Sequence, residues 1–135
     1  MTKTLAFEIE KTLHIIKSKT QDVFRENKFP ITKDQWLILE RIAQSEGSNQ
    51  KDIAKDTFKD PAALTRMLDI LVEKGFVQRK ASENDRRTFD IYVTVEGGRL
   101  VNRITPIIEE LNATIETALT TEDRNSLVAI LHKFQ

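Results

Sequence analysis

Cysteine is absent from the 135 residues, which excludes disulfides, thiolate metal sites and thiol redox sensing. Glycine is scarce. Its four positions, Gly47, Gly75, Gly97 and Gly98, are all explained by helix ends, and none builds a phosphate-cradling loop. Histidine occurs only at His14 and His132, a thin basis for a metal site without cysteine. With no nucleophile–base pair either, the chain reads as a non-enzyme without cofactor or metal. No apolar run reaches membrane-spanning length, and Met1-Thr2-Lys3-Thr4 does not open a signal peptide. The expectation is a cytoplasmic protein with no membrane partner. A surplus of charge is also missing. The 21 basic residues balance 21 acidic ones, so overall charge leaves no electrostatic footprint for nucleic acid.

What is present is an ordinary mixture, 39% hydrophobic and 31% charged, sufficient for one domain with a full core. Leu5, Ile9, Leu13, Ile16, Val23 and Phe24 recur at helical spacing and predict a first helix over 5–27. Phe7 and Ile15 widen the stripe, as in a helix packed on two surfaces. Phe29-Pro30 ends it. Thr32 and Gln35 form a capping box for a second helix. Its inner face is read as Trp36, Leu37, Leu39, Ile42 and Ala43, and Gly47 stops it. Asn49 caps a short third helix. Asp60 caps a fourth, with Pro61 at the first helical position, where a missing amide is harmless. Leu64, Met67, Leu68, Leu71 and Val72 form its buried stripe, leaving Ala62, Thr65, Arg66 and Asp69 outside.

Residues 76–81 and 88–95 read as two strands. In the second, Phe89, Ile91, Val93 and Val95 alternate as the buried face against Thr88, Asp90, Tyr92 and Thr94. The polar stretch 82–87 suits an exposed hairpin tip. Thr94 caps a long helix striped by Leu100, Ile104, Ile107, Ile108, Leu111, Ile115 and Leu119, with a bend expected at Pro106. Thr120 to Asp123 caps a last helix whose apolar side is Leu127, Val128, Ile130, Leu131 and Phe134. The class is therefore mainly α with a small β-hairpin. A short helix, a tight connection, a longer helix and a hairpin make a winged helix-turn-helix, in which one helix enters the major groove of DNA. Basic charge is concentrated there: Lys74, Arg79, Lys80, Arg86 and Arg87 stand against Glu83 and Asp85. Arginine on such a wing suits the negative potential of a narrow minor groove.

At these residues the chain resembles the MarR family of bacterial transcription regulators. The matching pieces are Asn49-Gln50-Lys51-Asp52-Ile53-Ala54, Asp60-Pro61 with Thr65-Arg66, and Leu71-Val72-Glu73-Lys74-Gly75-Phe76-Val77-Gln78-Arg79. They continue with Asp85-Arg86-Arg87 and Val93-Thr94-Val95-Glu96-Gly97, and residues 32–39 fit the family's second helix. The resemblance implies a single MarR-type domain over 1–135. The winged helix-turn-helix lobe spans 30–97 (motif 49–75, wing 76–95), between dimerisation helices at 5–27 and 98–135. It further implies a homodimeric repressor of a palindromic operator in double-stranded DNA, relieved by a small aromatic or phenolic ligand.

Carried onto matching positions, the resemblance makes Thr65 and Arg66 base-edge candidates, and Pro61 and Ala62 backbone or thymine-methyl contacts. Gln50, Lys51 and Arg79 become phosphate contacts, which position a protein without reading sequence. Arg86 or Arg87 would enter the minor groove, with Asp85 helping to hold it. His14, Lys17 and Trp36 become ligand candidates, and Pro106 a candidate junction between the two lobes. One departure is Ala62-Ala63-Leu64, less polar than in many relatives, which shifts readout toward DNA shape. The alternative is a winged-helix protein–protein interaction module, which would be expected to lack the wing arginines.

Overall fold

The structure, a computed structural model, describes residues 3–135. The order is α1 (Leu5–Glu26), α2 (Lys33–Gln44), β1 (Ser48–Asn49), α3 (Gln50–Thr57), α4 (Pro61–Glu73), β2 (Val77–Ala81), β3 (Phe89–Val93), α5 (Val95–Glu116) and α6 (Thr121–His132). Local chemistry places most of the boundaries. Gln35 N–H donates to Thr32 Oγ1 at 3.2 Å and Thr32 N–H to Gln35 Oε1 at 3.1 Å, closing the capping box of α2. Asn49 and Asp60 cap α3 and α4 by accepting from the Asp52 and Ala63 amides, each at 2.9 Å. Gly75 follows α4 at φ +85°, the left-handed region where a side chain would be strained.

The chain divides into two compact units. One joins the residues up to Thr20 with Pro106–Gln135, and the other is Gln21–Thr105. α1 and α5 each run through both, and Pro106 lies inside α5 without ending it.

The second unit holds a three-stranded antiparallel sheet in the order β1-β3-β2. β1 was not foreseen, because two residues are too few to show alternation. Ser48 pairs with Ile91 and Asn49 with Asp90. Gly47 belongs to this edge: its N–H donates to the Ile91 carbonyl at 2.9 Å, while α2 has already stopped at Ser45. The core gathers Trp36, Ile38, Leu39 and Ile42 of α2, Ile53 of α3, and Leu64, Leu68 and Leu71 of α4. Val77, Ile91, Leu100 and Ile104 complete it. The phase of α2 differs from the expected one by a residue, with Leu37 exposed and Ile38 buried. Residues 36–39 are all apolar, so periodicity alone leaves the phase open. The expected buried face of β3 also shrinks. Ile91 is buried, but Phe89 is 46% exposed near the outer end of the hairpin and Val95, 73% exposed, is the first residue of α5.

The first unit is different. None of its described residues reaches the buried class. Leu5, Phe7, Ile9, Leu13 and Ile15 of α1 stay open to solvent, as do Leu127, Val128, Ile130 and Leu131 of α6 and Phe134 beyond it. Among the described residues, no helix is long and apolar enough to cross a membrane.

Candidate nucleic-acid interface

The outer face of α4 follows from its heptad-like spacing. Leu64, Leu68 and Leu71 are fully buried, so Ala62, Thr65, Arg66 and Asp69 are turned outward and exposed. Arg66 makes no ion pair among the described residues. Its helix neighbour Asp69 is engaged elsewhere, accepting from Arg79 at 2.7 Å. That pair ties β2 to α4, so the hairpin is fixed to the helix it flanks. Arg79 is only 22% exposed in its side chain and has further donors beyond the one given to Asp69.

Thr65 carries two bonds. Its hydroxyl donates to the Pro61 carbonyl at 2.9 Å and accepts from Gln50 Nε2 at 2.8 Å. Gln50 is the first residue of α3, so this contact joins the starts of the two helices. Lys51 beside it is exposed, as are Pro61 and Ala62 at the start of α4.

The hairpin tip is organised by Asp85. Its carboxylate accepts from the Arg87 N–H at 2.9 Å and its carbonyl from the Thr88 N–H at 3.1 Å. Asp85 therefore holds the backbone of the turn that presents both arginines. Asp85, Arg86 and Arg87 are all exposed, and neither arginine forms an ion pair among the described residues. Lys80 lies with Nζ 4.8 Å from the Tyr92 ring centroid, a diagonal cross-strand pair set by the Gln78–Tyr92 register. The basic cluster thus sorts by role. Lys74 donates to the Pro30 carbonyl at 2.5 Å and Arg79 holds Asp69, which leaves Lys80, Arg86 and Arg87 as the outward charge.

The ligand candidates are distributed over both units. His14 and Lys17 are exposed on α1 in the first, and Trp36, 5% exposed, is a core residue of the second. The Gln50–Thr65 and Asp69–Arg79 pairs were missed at the level of sequence. Each spans ten or more residues, and no local pattern marks either of them.

A sequence model of the MarR family matches residues 31–89. The homoprotocatechuate degradative operon repressor of Escherichia coli is 33% identical over 104 residues, covering 77% of this chain and 70% of that protein. The chain belongs to the MarR family. The matched stretch runs from α2 through the hairpin tip, so the MarR-family signal covers the helix-turn-helix and its hairpin. The likeness extends to solved structures. The MepR–DNA complex of S. aureus superposes with a TM-score of 0.89 at 27% identity, covering 98% of this chain and 97% of that one. A mutant MarR of E. coli complexed with operator DNA gives 0.82 at 27% identity, covering 98% and 99%. As a MarR-family winged helix protein, the chain is a DNA-binding transcription regulator and not an enzyme.

Proposed function

We propose that this regulator is a homodimeric repressor that acts in the cytoplasm, binds a palindromic operator and is released by a small aromatic or phenolic ligand. One observation carries the reading. Within one unit, an uncommitted Arg66 on the outer face of α4 accompanies uncommitted Arg86 and Arg87 at the tip of a hairpin fixed to that helix. Arg66 then reads a base edge in the major groove, with Pro61 and Ala62 against backbone or a thymine methyl. A wing arginine enters the minor groove from the turn that Asp85 maintains. Lys51 and the remaining donors of Arg79 bind phosphate. The dimer is supported by the first unit, whose apolar residues have no core of their own to enter. The ligand class is supported by the E. coli relative, a repressor of an operon for degrading homoprotocatechuate, itself a phenolic acid. His14, Lys17 and Trp36 remain its candidate contacts.

The test is a gel shift with the full-length protein and the duplex flanking its own gene, at two salt concentrations and with added phenolic acids. Sequence-specific binding that weakens steeply with salt and is relieved by a phenolic acid is expected. Equal affinity for an unrelated duplex would overturn the operator reading.

A further inference from the structure

We infer that Gln50 and Thr65 together form a specificity device: Gln50 locks Thr65 as a hydrogen-bond acceptor toward the major groove, selecting amino bases over keto bases there. The inference rests on the DNA-binding reading above and reassigns Gln50 from a phosphate contact to a positioning residue.

A single proton sets the polarity of Thr65. A threonine hydroxyl has a single proton and two lone pairs. In Thr65 the proton goes to the Pro61 carbonyl, one turn back in α4, at 2.9 Å. The Gln50 amide N–H reaches the same hydroxyl oxygen at 2.8 Å and takes one lone pair. The opposite amide orientation would set a carbonyl oxygen against a hydroxyl oxygen whose proton is already engaged. The network therefore fixes the amide. One lone pair and the methyl group are what Thr65 has left for an outside partner, and the residue is exposed beside Arg66 on the face that would meet DNA.

An unrestrained serine or threonine rotates its hydroxyl and accepts either a donor or an acceptor base edge. Thr65 has lost that freedom. In the major groove the donors are adenine N6 and cytosine N4, whereas guanine O6 and thymine O4 are acceptors. An acceptor-only Thr65 is attracted to the first pair and repelled by the second on the strand nearest to it. Arg66 offers donors only and has the opposite preference, for guanine. Two adjacent side chains on one helix thus read opposite polarities. The short α3 has a role beyond support, since its first residue sets one of them. Its placement is fixed in turn by Asn49, which caps α3 through the Asp52 amide at 2.9 Å.

Enrichment from a random duplex library, with full-length wild type, Thr65→Val and Gln50→Ala, decides the matter. Wild type is expected to enrich adenine or cytosine at one near-strand position per half-site. Thr65→Val, which keeps the shape and removes the acceptor, should flatten that position by roughly tenfold and leave the guanine position in place. Gln50→Ala should widen the same position, because the Thr65 proton is then held by the Pro61 carbonyl alone, without the polarising bond from Gln50, and can turn toward an acceptor base edge. Melting temperatures of the variants separate misfolding from altered readout. An unchanged motif for Thr65→Val overturns the inference. So does a Gln50→Ala variant that keeps the motif but binds all duplexes more weakly with a shallower salt dependence, since that is the behaviour of a phosphate contact. If wild type itself enriches no sequence, the DNA-binding reading falls and takes this inference with it.

Discussion

A Cβ built on Gly97 would sit 2.1 Å from the Phe76 carbonyl oxygen and 3.0 Å from its carbon. Both atoms are backbone, so neither can swing aside, and the start of α5 has to remain glycine to approach the chain entering β2 this closely. Gly98, the next residue in the same helix, meets nothing within 4 Å. The two substitutions should therefore differ in sign. Gly98→Ala is expected to stabilise by about 0.5–1 kcal/mol through helix propensity. Gly97→Ala is expected to destabilise by about 2 kcal/mol, because overpacking against rigid backbone outweighs the same propensity gain. Urea melts of both variants check this, and stabilisation by both would show that propensity alone governs the turn. A second residue-scale expectation concerns acid. Burial on α2 raises the Glu40 carboxyl above its ordinary value of 4.5. The folded state then binds the proton more tightly than the unfolded one. Ionised Glu40 is a penalty that is present at neutral pH and is relieved as pH falls through the folded pKa toward 4.5. Glu40→Gln should be slightly more stable than wild type at pH 7, with the difference shrinking over that window. Parallel stability curves for the two proteins across it would count against the assignment.

The hairpin shows how an element combines fixed and free parts. β2 and β3 pair over five residues, Val77 with Val93 through Ala81 with Phe89, and Arg79 anchors the ladder to α4. The tip beyond it is shaped by backbone bonds to Asp85, in which neither arginine side chain takes part. Replacing Arg86 and Arg87 together by alanine should therefore abolish operator binding in a gel shift while moving the melting curve by no more than about 0.5 kcal/mol. Unchanged affinity would remove the wing from the interface. This division also explains what could be read from the residues alone. Helix caps are local, so Thr32 with Gln35, Asn49, Asp60-Pro61 and Thr120 with Asp123 were all legible, and the capping bonds are made as expected. The outward face of α4 was legible because its stripe is clear. The phase of α2 was not, since a run of four apolar residues satisfies more than one helical face. Nor were β1, the Gly97 approach to Phe76, Gln50–Thr65 or Asp69–Arg79. Each depends on a contact between separate elements, which periodicity does not encode.

At the scale of the whole molecule, the distribution of burial argues for a partner. Among the described residues, all of the buried apolar side chains lie between Phe24 and Ile104, within the second unit. The described part of the first unit, 3–20 and 106–135, is mostly helix, and a body of that size buries too small a fraction of its surface to be more than marginal alone. Leu127 and Leu131 of α6 face Ile9, Leu13 and Ile16 of α1 across an apolar groove of about 360 Å³. On the dimer reading this face is covered by a second copy, and the pairing sets two reading heads about 34 Å apart, one turn of DNA. Leu127→Glu with Leu131→Glu introduces two carboxylates that an apolar interface cannot solvate. The double variant is expected to be monomeric by light scattering and to bind a palindromic duplex roughly 100-fold or more weakly, because the second half-site is no longer held at high effective concentration. Salt-dependent binding to any duplex should persist, since Lys51, Lys80, Arg86 and Arg87 all lie in the untouched unit. A variant that remains dimeric and keeps its operator affinity would move the interface to another face. One that loses even non-specific binding would mean that the two substitutions had reached the reading unit and its core.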